Sequence, residues 1–285
     1  GSHLYIMVNS SPIKNDNNEI IGSVFLFQDI TLIKESEQEI NTLNSYLLDK
    51  TSALSSVNEE LESFTYSVSH DLRAPLRSID GFSQAILEDY EEKLDEEGKD
   101  YLHRIRNASQ LMGELMDGLL KLSRITRQPI ENKTVDLSKI SASILKSLKK
   151  EDPNRKVDIS IEKNLKIKGD KNLIKIALKN LISNAWKFSE NSKITKIQIG
   201  KKENEKEIIF FIKDNGAGFD MKYKSKLFVP FQRLHKKGEY KGSGIGLGIV
   251  KRVINRHNGR IWAESDEGKG ATFYFAFDKT KVLDK

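Results

Sequence analysis

The sequence predicts a multidomain chain: a parallel coiled coil leading into a dimeric antiparallel four-helix bundle, followed by an α/β sandwich. Three observations carry this expectation. Apolar residues recur at strict intervals of seven from Ile33 to Val68, two long amphipathic stretches flank the acidic segment EEKLDEEG, and from about residue 131 helical and strand patterns alternate.

Composition sets the bounds. A chain of 285 residues suits two modules with connectors. Apolar residues at 38% and charged residues at 31% permit real cores while leaving much solvated surface. The net charge of +6 comes from lysines spread along the whole chain, with no dense basic block, so nucleic acid is not an expected partner. The excess favours anionic partners such as a nucleotide or the acidic pocket of a phosphoacceptor protein. The absence of cysteine excludes disulfides and thiolate metal sites and fits a reducing, cytoplasmic setting. The longest apolar stretch, Ile20 to Phe27, is broken by Gly22 and Ser23 and is too short to cross a bilayer, so no membrane contact is expected in this fragment. Gly1, Ser2 and His3 look like a tag remnant, and an anchor or sensor domain could lie upstream.

Residues 4–30 read as two strands, YIMVNSSPI and IIGSVFLFQDI, joined by the turn-rich KNDNNE. Their ending FQDIT resembles the last strand of a PAS sensor domain, which would make them the C-terminal strands of a truncated one. From Thr31 the period changes: Ile33, Ile40, Leu47, Leu54, Leu61 and Val68 are spaced by seven, with Leu43, Val57 and Phe64 at the companion positions. A sustained seven-residue repeat forces a left-handed supercoil, and a parallel dimer is its natural partner. A single amphipathic helix folded back on its own chain is the alternative. Ser36 and Lys50 interrupt the seam and would set its register.

His70 follows Val68 by two residues and so falls on the outward side of the helix. Pro75 removes a backbone donor and should kink the helix before it resumes towards Tyr90. A second helix runs to about Arg127, with Leu102, Ile105, Met112, Leu115, Leu119 and Leu122 on one side. Two such helices make a hairpin, and two hairpins make a bundle. Gln128, Pro129 and Ile130 read as a hinge. Beyond it, VDLSKISASILKSL and DKNLIKIALKNLISNAWKFS read as helices, the second capped by Asp170, and VDISIE, KIQIGK, EIIFFIK, GRIWAES and ATFYFAF as strands of a mixed, largely antiparallel sheet.

Near neutral pH an imidazole ordinarily keeps one bare ring nitrogen, a ready nucleophile, whereas a serine hydroxyl must first lose its proton. An outward His is most often a plain surface residue, but one followed by an acid and a proline, as in HDLRAPL, is a candidate nucleophile. This segment resembles the phosphoacceptor box of sensor histidine kinases, and its context FTYSVSHDLRAPLRSIDGF is similar to the phytochrome-like branch of that family. The resemblance implies that His70 is phosphorylated and that Asp71 takes the proton of the other ring nitrogen, a role that helix spacing alone would not give it. The family often has Thr or Asn four residues after the His, where it holds a water for dephosphorylating the partner. Ala74 stands there in this chain, which implies weak phosphatase activity.

In NLISNAWKF, Asn180, Asn184 and Lys187 project from one side of a helix. The segment resembles the N box of the GHKL ATPases, of Bergerat fold. That likeness implies that Asn184 ligates Mg²⁺ carried by ATP, that Asn180 supports the site, that Lys187 meets phosphate and that Phe188 packs on adenine. In DNGAG, Asp214 can accept the exocyclic amine of adenine while Gly216 and Gly218 let the backbone approach the ring; this resembles the G1 box. GSGIGLG spends four glycines at a helix start, which suits amides that cradle phosphates. It resembles the G2 box and nominates Gly242, Gly244, Gly246 and Leu247, with Ser243 and Gly248 where Thr and Ala are more usual. The basic stretch FVPFQRLHKKGEYK resembles the F box and nucleotide lid, in which Arg233 would reach the γ-phosphate. GKGATF looks like the closing glycine box. His235 and His257 fit no pattern and read as surface residues.

The expected organisation is a remnant at 1–3, PAS strands at 4–30, a coiled coil at 31–59, a phosphotransfer hairpin at 60–127, a hinge at 128–133, an ATP-binding domain at 134–280 and a tail at 281–285. The implied function is ATP-dependent autophosphorylation of His70 in a homodimer, then transfer to an aspartate on the receiver domain of a response regulator. The alternatives are another GHKL-type ATPase, which has no reason to carry HDLRAPL on a bundle, or a catalytically silent dimeric scaffold.

Overall fold

The computed structural model describes residues 4–127, 130–232, 240 and 242–279. It divides into two compact units, one ending at Phe64 and the other beginning at Thr65.

In the first unit, strands β1 (Ile6–Lys14) and β2 (Ile20–Asp29) form an antiparallel hairpin in which Ile6 faces Asp29 and Ser11 faces Val24. The turn between them is built by Asn15, whose side-chain oxygen accepts the backbone N–H groups of Asn17 and Glu19 at 3.0 and 2.9 Å. Asx turns of this kind explain why an Asn-rich stretch reverses the chain. Helix α1 (Thr31–Asp89) then starts where Asp29 accepts the Thr31 N–H at 2.9 Å and Thr31 Oγ1 accepts the Tyr5 N–H at 3.0 Å. The heptad residues of this stretch are bare in the single chain: Ile40 is 58% exposed and Leu54 69%.

In the second unit, the C-terminal part of α1 pairs with α2 (Glu96–Arg127) after a short 3-10 turn at Glu91–Lys93. Arg73 reaches Asp117 at 3.0 Å, and Asp80 accepts from both Arg106 and Gln110 at 3.2 Å. These pairings fix an antiparallel hairpin. The Arg73–Asp117 pair is exposed and contributes about 0–1 kcal/mol at most, so it sets register more than stability. Pro75 lies inside one continuous helix, not at a break before a resumed one, with the cross-helix partners Arg73 and Asp80 holding the turns on either side of it.

Two short strands escaped the sequence reading. β3 (Lys133–Asp136) pairs antiparallel with β5 (Lys166–Gly169), so Lys133, expected in the hinge, faces Gly169 in a ladder. Val135 belongs to that strand too, and helix α3 (Leu137–Glu151) begins after it, capped by Asp136, which accepts the Lys139 N–H at 3.0 Å. Helix α4 (Lys171–Phe188) starts at Asp170 as expected, with the carboxylate accepting the N–H groups of Asn172 and Leu173. Residues 128 and 129 of the hinge lie outside the described residues.

The main sheet has five strands in the order β4 (Val157–Ile161), β6 (Thr195–Glu203), β7 (Glu207–Asp214), β9 (Gly270–Asp278), β8 (Arg260–Asp266). Only β4 and β6 run parallel, so the sheet is mixed and largely antiparallel, as the pattern implied. Alternate residues of β7 (Ile208, Phe210 and Ile212) point into a core shared with Leu178, Leu181 and Ile182 of α4 and with Val250, Val253 and Ile254 of α5 (Gly246–Arg256). Layering helices on one face of the sheet leaves the start of α5 and the end of β7 at one margin of the sandwich.

Helix α2 also packs on α5. A side chain at Gly118 would collide with Ile245, the residue just before α5, and the Arg256 guanidinium donates to the Ile125 carbonyl. Ile245 and Ile125 are both buried. Among the described residues, no helix is long and apolar enough to cross a membrane.

Candidate active site

His70 sits on α1 with its side chain 69% exposed. Its Nδ1 lies 3.2 Å from Asp71 Oδ1. Neighbouring helix residues leave the axis about 100° apart, yet these two side chains bend towards each other. Because a carboxylate can only accept, the contact selects the tautomer with hydrogen on Nδ1 and leaves Nε2 bare.

The second candidate centre is a cavity of about 230 Å³ between α4, the end of β7 and the start of α5. Asn180, Asn184, Lys187 and Phe188 all reach it from α4, because residues three and four apart share a helix face. Asn180 donates to the Ile176 carbonyl at 2.8 Å, and its Oδ1 lies 2.6 Å from where a Cβ on Gly246 would stand. That side chain therefore seams α4 to the glycine segment, and a residue larger than glycine at 246 would break the seam. Lys187 Nζ lies 4.1 Å from the Phe188 ring centroid and faces Gly242.

Asp214 ends β7 at the cavity, 4% exposed. Its Oδ1 accepts the Gly216 N–H at 2.8 Å and the Ala271 N–H at 3.3 Å. Burial nevertheless pushes its carboxyl up from the ordinary 3.8 to about 6, since two amide donors compensate only part of the lost hydration. Gly216 does not line the cavity. It sits behind, pressed on the Phe188 carbonyl, which accepts the Ala217 N–H at 2.9 Å. Gly218 does line it, at φ +63° and with the Asp266 carbonyl where a side chain would stand.

Gly242, Gly244, Gly246 and Leu247 complete the wall at the start of α5. Gly244, at φ +74°, holds the left-handed turn that aims the following amides, and its carbonyl accepts the Phe231 N–H at 3.1 Å. The amides at this helix start form a natural anion cradle. Arg233 lies outside the described residues. His70 and Asp71 are not among the residues that line the cavity.

Several lining residues were not foreseen. Phe219, Leu227 and Phe273 form buried apolar walls of it, and Tyr240 and Gln232 line it too, beside Ser243 of the glycine segment already named. The alternating pattern of ATFYFAF made Phe273 look like ordinary core, which it also is. His257, read as a surface residue, is instead a clamp. Its Nε2 accepts the Asp170 N–H at 3.0 Å, and its Nδ1 bonds the Val253 carbonyl at 2.8 Å. The ring also covers Gly169 so closely that a Cβ there would lie 2.7 Å from it. One histidine thus joins the start of α4 to the end of α5.

The cavity offers what a purine nucleotide needs: a buried carboxylate acceptor, apolar walls, a lysine and a glycine-rich helix start. Asn184 adds a neutral oxygen donor suited to a metal carried on phosphates, so the donor set fits Mg²⁺ bound through the nucleotide.

Comparisons with known proteins agree with this picture. Residues 60–128 match the family described as His Kinase A (phospho-acceptor) domain, and residues 169–281 match Histidine kinase-, DNA gyrase B-, and HSP90-like ATPase. Phytochrome-like protein Cph1 of Synechocystis sp. is 35% identical over 219 residues, 77% of this chain and 29% of that protein. Sensor histidine kinase WalK of Bacillus subtilis is 28% identical over 276 residues, 95% of this chain and 42% of that protein. The chain thus spans less than a third of the phytochrome-like relatives and less than half of WalK. Histidine kinase ThkA, solved in complex with response regulator protein TrrA, shares the fold with a TM-score of 0.52 at 22% identity, covering 96% of this chain and 75% of that one.

Proposed function

The chain belongs to the sensor histidine kinases, and we propose that it binds ATP in the α4–α5 cavity, phosphorylates its own His70, and passes the phosphoryl group to an aspartate on a response regulator receiver domain. The observation that carries this reading is the exposed His70 imidazole with its Nδ1 3.2 Å from Asp71 Oδ1, a contact that supports Nε2 as the nucleophile.

In the first step Nε2 attacks the γ-phosphorus in line. The Nε2–P bond forms as the bond to the β–γ bridging oxygen breaks, and ADP leaves with that electron pair. The ring becomes positive as it reacts, and the Asp71 carboxylate faces its Nδ1–H and steadies that charge. A phosphoryl group on nitrogen is labile, which suits a relay to a carboxylate acceptor.

Among the residues that line the cavity, ionised Asp214 would accept the exocyclic amine of adenine, Phe188 would pack on the base, and Lys187 and the amides at the start of α5 would hold the phosphates. Asn184 would ligate Mg²⁺, which would supply charge neutralisation at the phosphates. Arg233 belongs to this proposal as the γ-phosphate contact, on the strength of the F box resemblance alone. The working unit is a homodimer. Support comes from the bare heptad stripe on α1 and from further exposed apolar residues on the hairpin, Ile79, Ile105 and Met112, each about 43–44% exposed. A cytoplasmic setting fits the cysteine-free composition. Incubating the purified chain with Mg-ATP labelled at the γ-phosphate tests the reading: it should acquire acid-labile, base-stable label, and a chain that stays unlabelled refutes it.

A further inference from the structure

Tyr240 falls in the stretch FVPFQRLHKKGEYK, in which only Arg233 was given a contact, yet it lines the cavity and meets Phe188 edge to face, with ring centroids 4.9 Å apart and planes at 65°. The position of Phe188 gives that contact its meaning. Its carbonyl accepts the Ala217 N–H, and Gly216 presses on the same carbonyl, so the backbone of Phe188 is fixed beside the Asp214 carboxylate. Lys187 Nζ lies 4.1 Å from the Phe188 ring centroid and faces Gly242. The aromatic pair therefore spans the interval between the carboxylate end and the glycine end of one cavity. Two rings at this angle form a corner, one wall offering a face with negative quadrupole and the other an edge of positive character. A flat heteroaromatic ring is the chemistry such a corner accepts.

We propose that Tyr240 is a substrate-binding residue whose ring, with that of Phe188, grips the purine of the nucleotide. The proposal rests on the ATP reading of the cavity and adds to it a contact for the base from the segment just before the glycine loop. The ring carries the effect, and the hydroxyl does not. A purely structural role would instead make Tyr240 a packing partner of Phe188, felt in the stability of the empty protein and not in nucleotide affinity.

The test uses the intact chain and calorimetric titration with ATP, ADP and inorganic triphosphate. Tyr240→Ala should weaken ATP and ADP by about tenfold, the scale of one aromatic stacking contact to a base. Tyr240→Phe should bind both like the parent, and triphosphate affinity should be the same in all three. Tyr240→Leu serves as a second variant, one that keeps bulk without a π face, and should lose affinity as Tyr240→Ala does. Unchanged ATP affinity in Tyr240→Ala and Tyr240→Leu overturns the proposal while leaving the ATP site standing. So does tighter binding, which would make the ring a competitor for the site, and so does an equal loss for triphosphate. A parent chain that binds no ATP removes the site reading and this proposal with it.

Discussion

His70 Nδ1 and Asp71 Oδ1 stand 3.2 Å apart on an exposed helix surface, so an acid next in sequence selects which nitrogen of the imidazole is bare. Asp71→Asn puts an amide where only an acceptor stood. Its NH₂ can donate to Nδ1, favour the other tautomer and cap the attacking nitrogen. The autophosphorylation rate should fall by roughly 10²-fold or more, with ATP affinity unchanged, as measured by single-turnover labelling beside equilibrium titration. A fall in affinity with the rate intact would contradict this assignment.

The buried Asp214 carboxyl, raised from 3.8 to about 6, makes two opposite pH effects. Between those values the folded chain holds a proton that the unfolded chain has released. This group's contribution to stability is therefore fully present below 3.8 and lost as pH rises through about 6. Nucleotide binding runs the other way, because the amine of adenine needs the ionised carboxylate. ATP affinity should weaken as pH falls through about 6, and Asp214→Asn should bind weakly throughout and lose the step. An identical pH profile in parent and variant would assign the step to another group.

The packing of α2 on α5 through Gly118 and Ile245 predicts a sensitive contact between the hairpin and the glycine-rich helix start. Gly118→Leu must displace Ile245, which is 1% exposed. Amide exchange should accelerate in residues 115–125 and 245–256, and less around Asp80, which Arg106 and Gln110 hold from α2. Unchanged exchange at both segments would mean that the two elements are independent.

His257→Ala leaves the Asp170 N–H without its acceptor in a residue only 8% exposed. An unpaired buried donor costs about 1–3 kcal/mol, which should appear as a lower urea midpoint with an unchanged slope. A stability equal to that of the parent would return His257 to the role of a surface residue.

Ala74 carries no group that could hold a water beside the phosphorylated partner, so dephosphorylation of a phosphorylated receiver domain by this chain should be slow. Ala74→Thr should raise it. Fast dephosphorylation by the parent that depends on the bundle would contradict the reading.

What was legible in the sequence follows from periodicity and local chemistry. The heptads of α1, the Asp170 cap of α4 and the five long strands are local patterns and stand where they were expected. β3 and β5 were missed because each is four residues long, and Lys133, Lys166 and Lys168 make them look like loop; only their pairing with each other reveals them. The cavity followed the same division. Asn180, Asn184, Lys187, Asp214 and the glycines were nominated by the resemblance of their segments to the N, G1 and G2 boxes, since taken alone the asparagines read as solvent-facing and DNGAG as a turn, and the structure gathers them, apart from Gly216 behind the wall. His257 and Tyr240 act through partners distant in sequence, Asp170 and Phe188, and no local pattern announces such pairs.

The central claim is settled most directly by locating the phosphorus. After incubation with Mg-ATP, phosphorus NMR together with electron-transfer mass spectrometry of the labelled chain should find one phosphoryl group, on Nε2 of His70, and none in His70→Gln. Phosphate on Nδ1, on any other residue, or on the His70→Gln chain to the same extent would contradict the account.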